Sequence, residues 1–139
     1  MNAPLYTLEI LRLASSLDEP RDLDREDGRA EARSPTCGSR VTTAVQLDPE
    51  GRVQALSQQV HACAFGQASA ALVQLGAIGC GRAEVQDAHD RLAAWLDGAG
   101  VGPVWPDIGA LAPARSRKSR HGAILLPFRA LLAAIEDTR

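Results

Sequence analysis

The chain has 139 residues, for which one domain spanning 1–139 is the expectation. Its residues are 45% apolar but only 4% aromatic, so an ordinary core is within reach and must be built mostly from Leu, Val and Ala. A formal net charge of −2 gives no overall pull toward nucleic acid or an anionic membrane, and no apolar run approaches the ~18 residues of a membrane span.

The opening stretch "MNAPLYTLEILRLA" carries Glu9 among its apolar residues and lacks a basic lead. It is a poor match to a signal peptide, and a cytoplasmic location is the expectation. Within it Leu5, Leu8, Leu11, Ala14 and Leu17 recur every third residue, widened by Ile10 and Leu13, which predicts a first amphipathic helix. Residues 18–33 are mostly charged and interrupted by Pro20 and Gly28, and are expected to form a solvated connector.

The period then changes. Val41, Thr43, Val45 and Leu47 alternate with Thr42, Ala44 and Gln46, predicting a strand. "DPEG", residues 48–51, predicts a tight turn, and a return strand over residues 52–62 completes an antiparallel hairpin. Leu56, Val60 and Ala62 are expected on one face, with residues 57–59 as a wet polar middle. After Cys63 the helical period returns, with Phe65, Ala68, Leu72 and Leu75 on one face and "GCG", residues 79–81, as the stop. A further helix is expected over residues 83–96. A Gly/Pro-rich loop and a short basic run containing Arg115, Arg117, Lys118 and Arg120 follow; the basic run is expected to be a solvated loop. Pro127 is well suited to open a last helix, striped by Phe128, Leu131, Leu132 and Ile135. The order helix, sheet, helices predicts an α+β fold, with a small hairpin-based antiparallel sheet against several helices.

Three cysteines, an odd number, do not suggest a disulfide framework. Cys37 precedes the hairpin and Cys63 follows it, so both should lie at one end of the sheet. Two readings are open. Free cysteine is among the most buried residue types, which favours two core thiols at strand ends. Cys63, however, falls just ahead of a helix start, where free amides and the helix dipole favour the thiolate that binds metals. Cys80, in its Gly-Cys-Gly turn, is expected to be incidental, and His61 and His89 to be surface or structural residues.

The segment "SPTCGSRVTTAVQLDPEGRVQALSQQVHACAFGQASAALV" resembles the U-type iron–sulfur cluster assembly scaffolds, the NifU N-terminal and IscU/SufU-like family. Its "PTCG" is similar to the family's Pro-x-Cys-Gly motif, and "ACAFGQASAAL" puts Cys63 on the second family cysteine. The resemblance covers most of the chain. It implies a non-enzymatic scaffold or carrier that binds iron and sulfur through thiolates and passes them on. The implied cargo is a labile iron–sulfur cluster or iron, with zinc as a further metal; the implied partners are a cysteine desulfurase and iron–sulfur acceptor proteins. Two positions depart from the family. Ser39 stands where the family has Asp, and Ala123 stands at the third cysteine when "LPFRAL" is aligned without gaps. His121, two residues away, offers an imidazole, which iron and zinc both accept alongside thiolate, giving an expected metal set of Cys37, Cys63 and His121. The alternative is a degenerate paralogue that holds a single zinc or iron, or no metal, and works by protein contact. Among enzymes, no phosphate-binding glycine loop, nucleophile elbow or paired metalloprotease histidines occur in the sequence.

Overall fold

The computed structural model describes residues 6–35 and 38–137. The chain forms α1 (Leu8–Ser16), β1 (Gly28–Arg33), β2 (Arg40–Leu47), β3 (Val53–His61), α2 (Ala64–Gly76), α3 (Arg82–Leu96), two 3-10 segments (Ile108–Ser116 and Lys118–Arg120) and α4 (His121–Glu136). The three strands form one antiparallel sheet in the order β1-β2-β3, so the fold is α+β as expected. α4 lies over β1 and β2, α2 lies beside it toward β3, and α1 and α3 flank this pair.

Register fixes which side chains face the helices. Gly28, Ala30 and Ala32 of β1 sit opposite Val45, Thr43 and Val41 of β2, and those in turn sit opposite Leu56, Gln58 and Val60 of β3. Val41, Thr43 and Val45 are buried, as their alternation requires. At the turn, Asp48 Oδ1 accepts the amides of Glu50 and Arg52, and Gly51 takes a left-handed φ of 81°. Gln58 corrects the expected wet middle of β3. It is buried, and its Nε2 donates to the Ala70 carbonyl of α2 at 2.9 Å.

β1 was expected to be connector. Its "GRAEAR" does alternate, but the inward residues are Gly and Ala, so no apolar stripe marks it. They are small because α4 lies so close: a Cβ on Gly28 would run into the Ala134 carbonyl oxygen and come within 2.7 Å of Asp137 O. The preceding segment is held rather than free. The amide of Asp18 donates to Gln74 Oε1, that of Arg21 to Ser57 Oγ, and that of Asp27 to the Val45 carbonyl. Residues 18–27 thus pass around β3 at Leu56, Ser57 and Gln58 and then over the outer face of the sheet.

The helices show three further corrections. In α1 the buried residue is Ile10, backed by Tyr6 and Leu13 at helical spacing, while Leu8 and Leu11 of the expected stripe are exposed. α2 ends at Gly76, ahead of the GCG turn, and Leu75 is exposed. A side chain at Gly76 would meet the Trp105 ring, whose Nε1 donates to the Leu72 carbonyl at 2.7 Å. α4 opens at His121, six residues before Pro127, which sits buried inside it. Lacking an N–H, Pro127 leaves the Ala123 carbonyl without its helical donor. The Ser69 hydroxyl of α2 donates to the neighbouring Ile124 carbonyl, tying the two helices together there.

Helix directions matter for the site. α1 and α2 run side by side, with Tyr6 against Phe65 at one end and the Gln74 amide donating to the Ser16 carbonyl at the other. α4 starts beside Ser34 and finishes against Gly28. The N-termini of α1, α2 and α4 therefore share the end of the molecule where β1 stops and β2 starts. No helix among the described residues is long and apolar enough to cross a membrane.

Candidate functional site

β1 and β2 pair up to Arg33 and Arg40, and the loop between them is the connection that carries "PTCG". Ser34 N donates to the Ser39 carbonyl at 2.9 Å, and Gly38 N donates back to the Ser34 carbonyl at 3.2 Å. Gly38 has a φ of 72°, the left-handed conformation that glycine takes at little cost. Cys37 and Thr36 lie outside the described residues, and with Cys37 the expected approach of its sulfur to that of Cys63.

Cys63 is the N-cap residue of α2, as its place before the helical period implies. Its side chain makes no capping hydrogen bond, is a free thiol and is half-buried against the core. Continuing the β2–β3 ladder two residues past the Arg40–His61 pair brings Gly38 opposite Cys63.

The start of α4 completes this end. A Cβ on Gly122 would lie 3.3 Å from Ser34 Oγ, so α4 begins against the loop. A Cβ on Gly66, in the first turn of α2, would lie 3.3 Å from the Ala123 carbonyl oxygen and 3.5 Å from its Cβ. Ala123 is buried beside the turn that follows Cys63. The loop, Cys63 and Ala123 therefore converge, although they are far apart in sequence.

His121 reaches the same end but its ring turns elsewhere. Nε2 lies 3.0 Å from the Ala114 carbonyl and 3.2 Å from that of Arg115, so it donates to the 3-10 segment. Nδ1 lies 3.7 Å from Asp97 Oδ1. Ser39 is buried, and its carbonyl closes the loop. His61 is exposed at the end of β3, and His89 sits on α3 with Nδ1 3.0 Å from Asp90. Cys80 lies away from this end, and its Sγ donates to the Gly76 carbonyl at 3.3 Å. Burial, and secondarily Glu84, push its thiol pKa up. Among the described residues no group of three or more His, Cys, Asp or Glu side chains is placed to hold one metal ion.

No family model matches the sequence, and no curated protein does. Solved structures do. The N-terminal part of a nitrogen-fixing NifU-like protein from Brucella abortus superposes with a TM-score of 0.86 at 31% identity, over 95% of this chain and 92% of that one. A protein described as an iron–sulfur cluster assembly scaffold for the SUF system of Fervidobacterium islandicum gives a TM-score of 0.77 at 20% identity, over 94% and 96% of the two chains. A hypothetical protein matches at 0.71 and 21% identity, over 93% and 97%. The fold is common to all three. The identity and two-sided coverage of the first show more: the chain belongs to the NifU-like N-terminal family. The resemblance drawn from "PTCG" and "ACAFGQASAAL" is borne out at the level of family and fold.

Proposed function

We propose that this protein is a carrier or scaffold for iron–sulfur cluster assembly. It accepts iron and sulfur on the thiolates of Cys37 and Cys63 and yields them to acceptor proteins, with the sulfur delivered by a cysteine desulfurase. The observation that carries this reading is the convergence of the loop on either side of Cys37, Cys63 at the start of α2, and Ala123 at the start of α4. The NifU-like relative from Brucella and the SUF-system scaffold share the fold that produces this convergence. Two thiolates with no third one form an open site, suited to cargo that must leave again.

His121 is the third ligand of this proposal. To serve, its Nε2 must exchange two carbonyl partners for the metal, or Nδ1 must turn from Asp97. That requirement favours, as a second reading, a degenerate member that holds a single zinc or iron, or no metal, and works by contact with the assembly machinery. Anaerobic reconstitution with iron and sulfide, followed by visible absorption and metal analysis, separates the two. Under the carrier reading the parent takes up iron, His121→Ala takes up less, and Ala123→Cys, which restores a thiolate beside the α2 turn, takes up more. Unchanged iron in His121→Ala removes the histidine from the ligand set. No iron or zinc in either the parent or Ala123→Cys leaves the degenerate reading.

A further inference from the structure

We infer that Gln67 and Gly66, in the first turn of α2, are positioning residues that set where the Cys63 thiol points. The thiol does not hold itself in place, since the Cys63 side chain makes no capping bond. Its direction therefore depends on the backbone, which at Cys63 is extended, with φ −67° and ψ 173°. Those two angles relate two rigid peptide planes, one on each side of the Cys63 Cα. Gln67 bonds both planes. Its backbone amide donates to the Cys63 carbonyl at 2.9 Å, and its side-chain Nε2 donates to the Ala62 carbonyl at 3.0 Å. The side-chain bond matters because Ala62 lies outside both regular elements: β3 ends at His61, opposite Arg40, and α2 starts at Ala64. The bond is also part-buried, where it competes less with water than an exposed one.

A bond that served only the helix would satisfy one of its free starting amides, as a cap does. Gln67 Nε2 instead satisfies a carbonyl that precedes the helix, so its effect falls on the link from β3 and on Cys63 within it. Gly66 makes that bond possible. The link folds back over the first turn of α2 so closely that a Cβ on Gly66 would lie 2.6 Å from the Ala62 Cβ. The same Cβ would lie 3.3 Å from the Ala123 carbonyl oxygen of α4. A side chain at this position has to push Ala62 outward, and with it the carbonyl that Gln67 reaches. The purpose rests on the carrier reading: a thiolate whose orientation is fixed beforehand takes up a metal more tightly, and removing a group that orients a ligand typically costs about 10–100-fold in metal affinity.

The test uses Gln67→Met, which keeps the side-chain length and removes the donor, and Gln67→Lys, which returns a donor. Gln74→Met, the same change two turns further along α2, removes ties to Ser16 and Asp18 instead and serves as the control. Backbone amide relaxation in NMR, on the full metal-free chain, reads the order of residues 62–63. That order should fall in Gln67→Met and in Gly66→Ala, recover in Gln67→Lys, and stay at the parent value in Gln74→Met. Zinc(II) alone, titrated against a chelator, should bind about tenfold more weakly to Gln67→Met than to the parent, and equally well to Gln74→Met and the parent. Unchanged order at Cys63 in Gln67→Met overturns the inference, as does an equal loss of zinc affinity in Gln67→Met and Gln74→Met. A parent that takes up neither zinc nor iron removes the carrier reading, while the relaxation comparison still decides whether Gln67 fixes Cys63.

Discussion

Cys63 occupies a helix N-cap with its side chain unbonded, a place where serine is a better structural choice. Cys63→Ser should therefore remove iron and sulfur uptake while leaving the melting temperature unchanged or raised, with a gain of up to ~1 kcal/mol from the added cap bond. Full retention of metal together with a lower melting temperature would return Cys63 to the role of a core residue. Cys80 is the internal contrast. Its thiol is held neutral by burial and by Glu84, so alkylation by iodoacetamide at neutral pH should be much slower at Cys80 than at Cys63. The linked stability has a definite sign. A pKa raised on folding means the unfolded chain loses its proton first, so this contribution is intact below the ordinary thiol range and fades as pH rises past ~8.5. Denaturant melts of the parent should weaken across that range more than those of Cys80→Ala. The place of Cys63 at a helix start was legible from the change of period. The orientation of His121 was not, because its partners are backbone carbonyls of Ala114 and Arg115 that no motif announces.

At the scale of elements, the closest approach is that of β1 to the end of α4. Gly28→Ala places a methyl group on backbone atoms rather than on a yielding side chain, and should cost about 1–3 kcal/mol, read as a fall in denaturation midpoint. If the variant is as stable as the parent, the two elements are not held at this distance. The hairpin and the bodies of α2, α3 and α4 follow from periodicity because each has a bulky apolar face. β1 escapes that reading because its inward positions need to be small, and small residues leave no hydrophobic signal. The start of α4 escapes it for a different reason. Pro127 suits a first turn, but here a tertiary bond from Ser69 and dense packing around Ile124 and Phe128 hold the helix through it. The basic run is likewise not a plain loop: it winds into 3-10 turns because Ala110, Leu111 and Ala114 are buried.

At the scale of the whole molecule, one contiguous cluster runs from Ile10 through Phe65, Leu72, Leu92 and Leu111 to Phe128 and Leu131, joining all four α-helices to the sheet residues Val45 and Val53. Trp105 closes it, edge-on to Phe128 at 5.1 Å. Unfolding followed by Trp105 fluorescence, in a Trp95→Phe background, should coincide with loss of helical circular dichroism; separated transitions would mean that the loop carrying Trp105 melts independently. The route of residues 18–27 has its own consequence for how anything can meet this protein. The middle of β3 is overlain by Asp18, Glu19 and Arg21, and at the opposite border the Arg29 amide is taken by the Asp137 carboxylate. A visiting chain that tried to extend the sheet as a fourth strand would first have to peel away one of these seals, so its open approach is along the strand axis, onto the tip where the loops and helix starts meet.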